Sequence, residues 1–66
     1  MKVKLNGLEY ETNEKTTLKI FLSEKLKSLD KIVVEHNYNI IDKKDLEKII
    51  LNDDDIIEVL KFVGGG

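Results

Sequence analysis

MKVKLNGLEYET, residues 1–12, decides the fold. Met1, Val3 and Leu5 alternate with Lys2 and Lys4, and Leu8, Tyr10 and Thr12 alternate with Glu9 and Glu11. Apolar residues at every second position mark a strand with one buried face. Asn6-Gly7 joins the two runs. That dipeptide suits a type I′ turn, which needs positive φ at both central residues. The stretch therefore predicts a β-hairpin whose Lys and Glu side chains oppose one another on the outer face.

A hairpin alone is not stable in water, so the rest of the chain must cover it. Thr16 is placed to cap a helix that begins near Thr17. Leu18, Leu22, Leu26 and Leu29 recur at helical spacing, Ile20 and Phe21 widen the stripe, and the intervening residues are polar. This predicts an amphipathic helix of about three turns. Ile32–His36 is rich in β-branched residues and reads as a third strand. Residues 37–39, Asn-Tyr-Asn, read as a turn, and Ile40-Ile41 as a short fourth strand. Asp42 is placed to cap a short helical turn through Asp45, Leu46 and Ile49. Residues 52–55, NDDD, read as a solvated loop and 56–63 as the last strand.

A right-handed crossover lays the helix on one sheet face and leaves the other open. In the last strand, Ile57, Val59 and Lys61 fall on one side, and Ile56, Glu58, Leu60 and Phe62 on the other. If Glu58 faces water, Leu60 and Phe62 share its side as an apolar patch suited to a partner. Val33 and Glu35 of the third strand have the parity to extend it.

Composition removes several function classes. With 66 residues the chain is one domain, and its 41% hydrophobic content argues for a folded core. It has no Cys and one His, so it has neither a disulfide staple, nor a zinc-finger pattern, nor thiol chemistry. Its 11 basic and 13 acidic residues are interspersed, with a net charge of −2. Nucleic acid and anionic membranes are not its expected partners. With no signal segment and no long apolar run, the chain is expected in the cytoplasm. Motifs for metalloprotease, phosphate-loop or dinucleotide chemistry are absent. His36, beside a turn, reads as a surface residue. Asp53, Asp54 and Asp55 lack the alternate spacing of a calcium loop.

The sequence closes on FVGGG, Phe62 to Gly66. Glycine gives up the most backbone entropy on ordering, and it has no side chain to block a narrow slot. From Val63 to Gly66 an extended chain reaches roughly 13 Å. By composition this is either a frayed end or a thread that presents a carboxylate. A carboxylate is a poor electrophile, so reaction there requires an acyl phosphate or acyl adenylate and an ATP-using partner.

Together MKVKLNG, the amphipathic helix, IVVEHN and DIIEVLKFVGGG resemble the ThiS sulfur-carrier family of thiamine biosynthesis over essentially the whole chain. The resemblance implies an α+β, ubiquitin-like β-grasp fold over residues 1–63. Its mixed sheet has four to five strands, the first and last are parallel neighbours, and one main helix packs on one face. It implies a Gly-rich tail at residues 64–66. An E1-like, ThiF-like adenylyltransferase would use Mg-ATP to adenylate Gly66. A cysteine-desulfurase relay would convert that carboxylate to a thiocarboxylate, and a ThiG-like thiazole synthase would accept the sulfur. Gly64 and Gly65 would be the tether, and Leu60, Phe62 and Val63 the docking surface. The chain itself would be a carrier and not an enzyme, monomeric when free, with no bound cofactor or metal. The small subunit of molybdopterin synthase, or a ubiquitin-like protein modifier, would share this fold and tail.

Overall fold

The computed structural model describes residues 1–62. Val63 and the glycine tail expected at 64–66 lie outside the described residues. Strands β1 (Lys2–Leu5) and β2 (Leu8–Glu11) form the expected hairpin, with φ of 49° at Asn6 and 83° at Gly7. Both turn positions thus take the left-handed backbone that Asn and Gly tolerate best. Helix α1 (Leu18–Lys25) follows, then β3 (Ile32–His36), β4 (Asn39–Ile41), a 3₁₀ helix (Lys43–Lys48) and β5 (Ile56–Lys61). The five-stranded sheet has the order β2-β1-β5-β3-β4. The β1–β5 pair is parallel and the other neighbours are antiparallel. This is the mixed sheet with one main helix that the family resemblance implies.

The core lies between one sheet face and α1. Val3, Leu5, Val34 and Ile57 from the sheet meet Leu18, Phe21 and Leu22 from the helix, with Leu46 and Leu51 closing the side. Burying each such side chain contributes about 1.5–3 kcal/mol. Tyr10 meets Phe21 edge to face at 6.1 Å between ring centroids.

The helix departs from its expected form at both ends. The cap is Thr17 rather than Thr16. Thr17 Oγ1 accepts the Ile20 amide at 3.1 Å, whereas Thr16 Oγ1 donates to the Asn13 carbonyl at 2.6 Å. The Thr16 carbonyl is also taken, by the Leu51 amide at 2.9 Å. At the far end the helix stops at Lys25, with Leu26 already extended at φ −115° and ψ 146°. Beyond it Ser28 Oγ accepts the Asp30 amide, a local bond that competes with helical bonding. Leu26 and Leu29 still pack on the core from this non-helical segment. Buried Leu18, Phe21 and Leu22 form a narrow stripe, and Ile20 points to solvent. Lys25 lies over the Tyr10 ring at 4.8 Å, while Leu8, two residues nearer the hairpin turn, stays exposed.

The expected turn at 37–39 is a tight one, with positive φ at Asn37 and Tyr38. Asp42 sits at the N-cap of the 3₁₀ helix without a side-chain bond, and its carbonyl accepts the Asp45 amide. Asp53 and Asp54 form the expected exposed turn, but Asp55 is buried. The Asp53 carboxylate accepts the Lys2 backbone amide at 2.8 Å. Asp55 is 5% exposed and sits at the entry to β5. Its carboxylate accepts the His36 Nε2–H at 2.8 Å, the Asn37 side-chain amide at 3.0 Å and the Asn52 backbone amide at 2.8 Å. His36 is therefore a largely buried partner of Asp55 and not a surface residue. Asn37 completes the tie, accepting the Ile56 amide through Oδ1 at 2.9 Å.

Burial pushes the Asp55 carboxyl pKa up. The hydrogen bonds from Asn37, His36 and the Asn52 amide, with the charge of His36, outweigh it and hold the group below its ordinary value. A depressed folded-state pKa contributes stability above the unfolded value, and that contribution is lost as pH falls through the folded value. Urea unfolding of Asp55→Ala is expected to show a loss of about 2–3 kcal/mol at neutral pH, since three donors lose a charged acceptor. The gap between wild type and variant should close as pH falls below about 4. A gap that persists unchanged in acid would show that the ionised carboxylate is not what holds this corner.

Candidate functional site

Leu60 and Phe62, the residues expected to dock a partner, are both exposed. Leu60 is 64% exposed and Phe62 is 53% exposed. The alternation in β5 drives this. Ile57 is fully buried and Val59 packs on the core, so Glu58 and Leu60 must face the side without a helix. The Phe62 amide donates to the Lys31 carbonyl at 2.7 Å, which extends the β3–β5 pairing one residue past Lys61. Val63, Gly64, Gly65 and Gly66, the other expected site residues, lie outside the described residues.

The register assembles the rest of this face. Leu60 stands opposite Val33, and Glu58 opposite Glu35. Glu35 in turn stands opposite Ile40, which is 70% exposed. An apolar rim of Leu60, Val33 and Ile40 thus surrounds two carboxylates, with Phe62 exposed where the chain leaves the sheet. Ile40 and its neighbour Tyr38 escape a reading of β5 alone. The tight Asn37-Tyr38 turn sets the register that brings Ile40 beside Glu35. On the β1 side the same face turns mixed in charge, with Lys2, Lys4, Glu9, Asp54 and Ile56 around a shallow groove.

Catalytic groups are not gathered here. The described residues hold no cluster of His, Asp and Glu able to bind a metal ion. His36, the one His of the chain, is bonded to Asp55, which also holds the Asn37 side chain and the Asn52 amide. Among the described residues, no helix is long and apolar enough to cross a membrane. What the geometry offers is an uncovered sheet face on which Leu60, Val33 and Ile40 border two glutamates.

A family model decides what kind of protein has this arrangement. The model of the ThiS family matches residues 3–66. The chain belongs to the ThiS family. The crystal structure of the thiamine biosynthesis protein ThiS from Geobacter metallireducens superposes with a TM-score of 0.85, covering all of both chains at 26% identity. The ubiquitin-like β-grasp fold follows from that likeness and from the sheet order above. Two relatives are named thiazole synthase. That of Paramagnetospirillum magneticum is 33% identical over 66 residues, and that of Magnetococcus marinus 35% over 66 residues. All of this chain is matched, yet it spans only 20% of the length of either thiazole synthase. An uncharacterized protein, ycf40, from Trieres chinensis is 37% identical over 62 residues, 94% of this chain and 85% of that protein.

Because Leu60 contributes little to the ThiS-family core, Leu60→Ser is expected to change unfolding free energy by less than about 0.5 kcal/mol. Val34→Ala, at a buried position of the neighbouring strand, is expected to cost about 2 kcal/mol or more. Equal losses in a denaturant titration would mean that Leu60 is a packing residue.

Proposed function

We propose that this chain is a sulfur carrier for thiazole formation in thiamine biosynthesis, working through a thiocarboxylate at Gly66. The observation that carries this reading is the ThiS family match, which runs through the glycines to residue 66. The thiazole synthase names of two relatives support the pathway, because a segment like this whole chain forms part of each. In this reading an E1-like adenylyltransferase uses Mg-ATP to convert the Gly66 carboxylate to an acyl adenylate. AMP is a good leaving group: the terminal sulfur of a cysteine-desulfurase relay persulfide displaces it to form an acyl disulfide, and a thiol reductant then cleaves the S–S bond to leave the thiocarboxylate. Thiazole synthase then takes the sulfur.

The chain acts as a carried co-substrate in the cytoplasm, not as a catalyst. Sulfur on a main-chain terminus needs no thiol side chain, which fits a sequence without Cys. The open sheet face at Leu60 and Phe62 supports docking, with Val63 at the entry to the partner's active site. Gly64 and Gly65 supply the slim tether, since a channel that admits glycine excludes chains with side chains.

Incubation with the adenylyltransferase, Mg-ATP and a sulfur source is expected to raise the intact mass by about 16 Da, one oxygen exchanged for sulfur. A chain lacking Gly66 should show no gain while keeping its unfolding midpoint. The reading fails if wild type stays at its original mass while a known carrier, treated in parallel, gains sulfur.

A further inference from the structure

The open face carries an arrangement that the fold itself does not need. Glu58 of β5 and Glu35 of β3 are direct cross-strand partners. Directly opposed side chains have Cβ atoms about 4.5–5.5 Å apart, and like charges in that position are destabilising. Among the described residues neither carboxylate makes an ion pair: the lysines that do bridge carboxylates are Lys2, Lys19, Lys43 and Lys48, to Glu9, Glu47, Asp30 and Asp45. Glu35 is half-buried between Glu58 and Ile40. Its charge is therefore less screened than that of a freely solvated residue. Apolar Leu60, Val33 and Ile40 border the pair.

We propose that this sheet face receives a surface whose centre is one cationic side chain, an arginine, set among apolar residues, and that the adenylating partner presents it. The proposal rests on the carrier reading above. Charge complementarity selects the occupant. Two carboxylates repel phosphate, so a nucleic acid or an anionic membrane is disfavoured on this face. A guanidinium offers five donors in a planar fork and serves two carboxylates at once. It is also weakly hydrated, so the apolar rim costs it less than it would cost an ammonium. Place in the chain favours the adenylating enzyme: β5 carries Glu58 and Leu60 toward the C-terminal end, and in the carrier reading that enzyme is the first to act there. The repulsion that the free domain carries is relieved when the cation arrives.

Isothermal titration of the adenylating enzyme against wild type, Glu58→Gln, Glu35→Gln and the double variant tests this. Each single variant is expected to bind at least about tenfold more weakly, as when a desolvated charge pair loses one partner. The double variant should lose less than the product of the two single effects, because both carboxylates hold one cation. The urea midpoint of each free variant is expected to match or exceed that of wild type. Loss of stability in parallel with loss of binding would make the glutamates structural and overturn the proposal. Unchanged affinity in all variants would overturn it too, and if wild type still gains about 16 Da the carrier reading stands alone. No mass gain in wild type removes both. Lys4, beside Ile56 on the same face, has the charge to meet Glu58 of a second copy. Sedimentation that shows a wild-type dimer abolished by Glu58→Gln would give the face to self-association instead.

Discussion

The rest of the structure depends on the position of β5 between β1 and β3. The Lys4 amide donates to the Asp55 carbonyl and the Asn6 amide to the Ile57 carbonyl, both at 2.9 Å, which locks the parallel pair. On its other side β5 runs antiparallel to β3 over five residue pairs, from His36↔Ile57 to Ile32↔Lys61. On the β1 edge the pairing covers Ile56 and Ile57, and the Asn6 side-chain oxygen then accepts the Val59 amide at 2.8 Å. One side buries Ile57 in the core. The other presents Glu58 and Leu60. The entry is fixed by a buried carboxylate, since Asp55 ties the β3–β4 turn to the start of β5 through His36 and Asn37. That tie sets where β5 begins.

A single short helix sets the second limit. Eight residues of α1 cover one face of a five-stranded sheet, and the segment through Leu26 and Leu29 extends the cover without helical bonding. The opposite face has no second layer among the described residues. That face is mixed, with exposed Leu60 and Ile40 beside Glu58 and Glu35 and with Lys2, Lys4 and Glu9 toward β1. The local rules of sheet design are broken on that same face, where two glutamates stand opposite one another. Departures from local consistency concentrate where function overrides stability.

The hairpin, the third strand and the inward and outward sides of β5 were legible because each rests on nearest-neighbour alternation and on Asn-Gly. The helix was legible in existence and face but not in length. Leucine spacing continues to Leu29, while Ser28 and the extended Leu26 redirect the backbone. Asp55 was misread because a run of three acids suggests solvent. Its burial depends on His36 and Asn37, 19 and 18 residues away in sequence, which no local pattern brings to it. The exposure of Leu60 and Phe62 could be placed by parity, whereas Ile40 needed the register of β4 on β3.

The parallel pairing of β1 with β5 also has a consequence for biosynthesis. Lys4 and Ile56 lie at opposite ends of the sequence, and their pairing builds the middle of the sheet. Closing so long a loop must precede any reward from that pairing, so the topology delays folding until nearly the whole chain is available. On the ribosome the N-terminal hairpin waits for residues that emerge just ahead of the glycines. A chain stopped short of residue 56 has no sheet centre and exposes its leucines to degradation. Such a copy never stands as a folded domain, whereas a copy that reaches the end of β5 at Lys61 has every strand of the sheet.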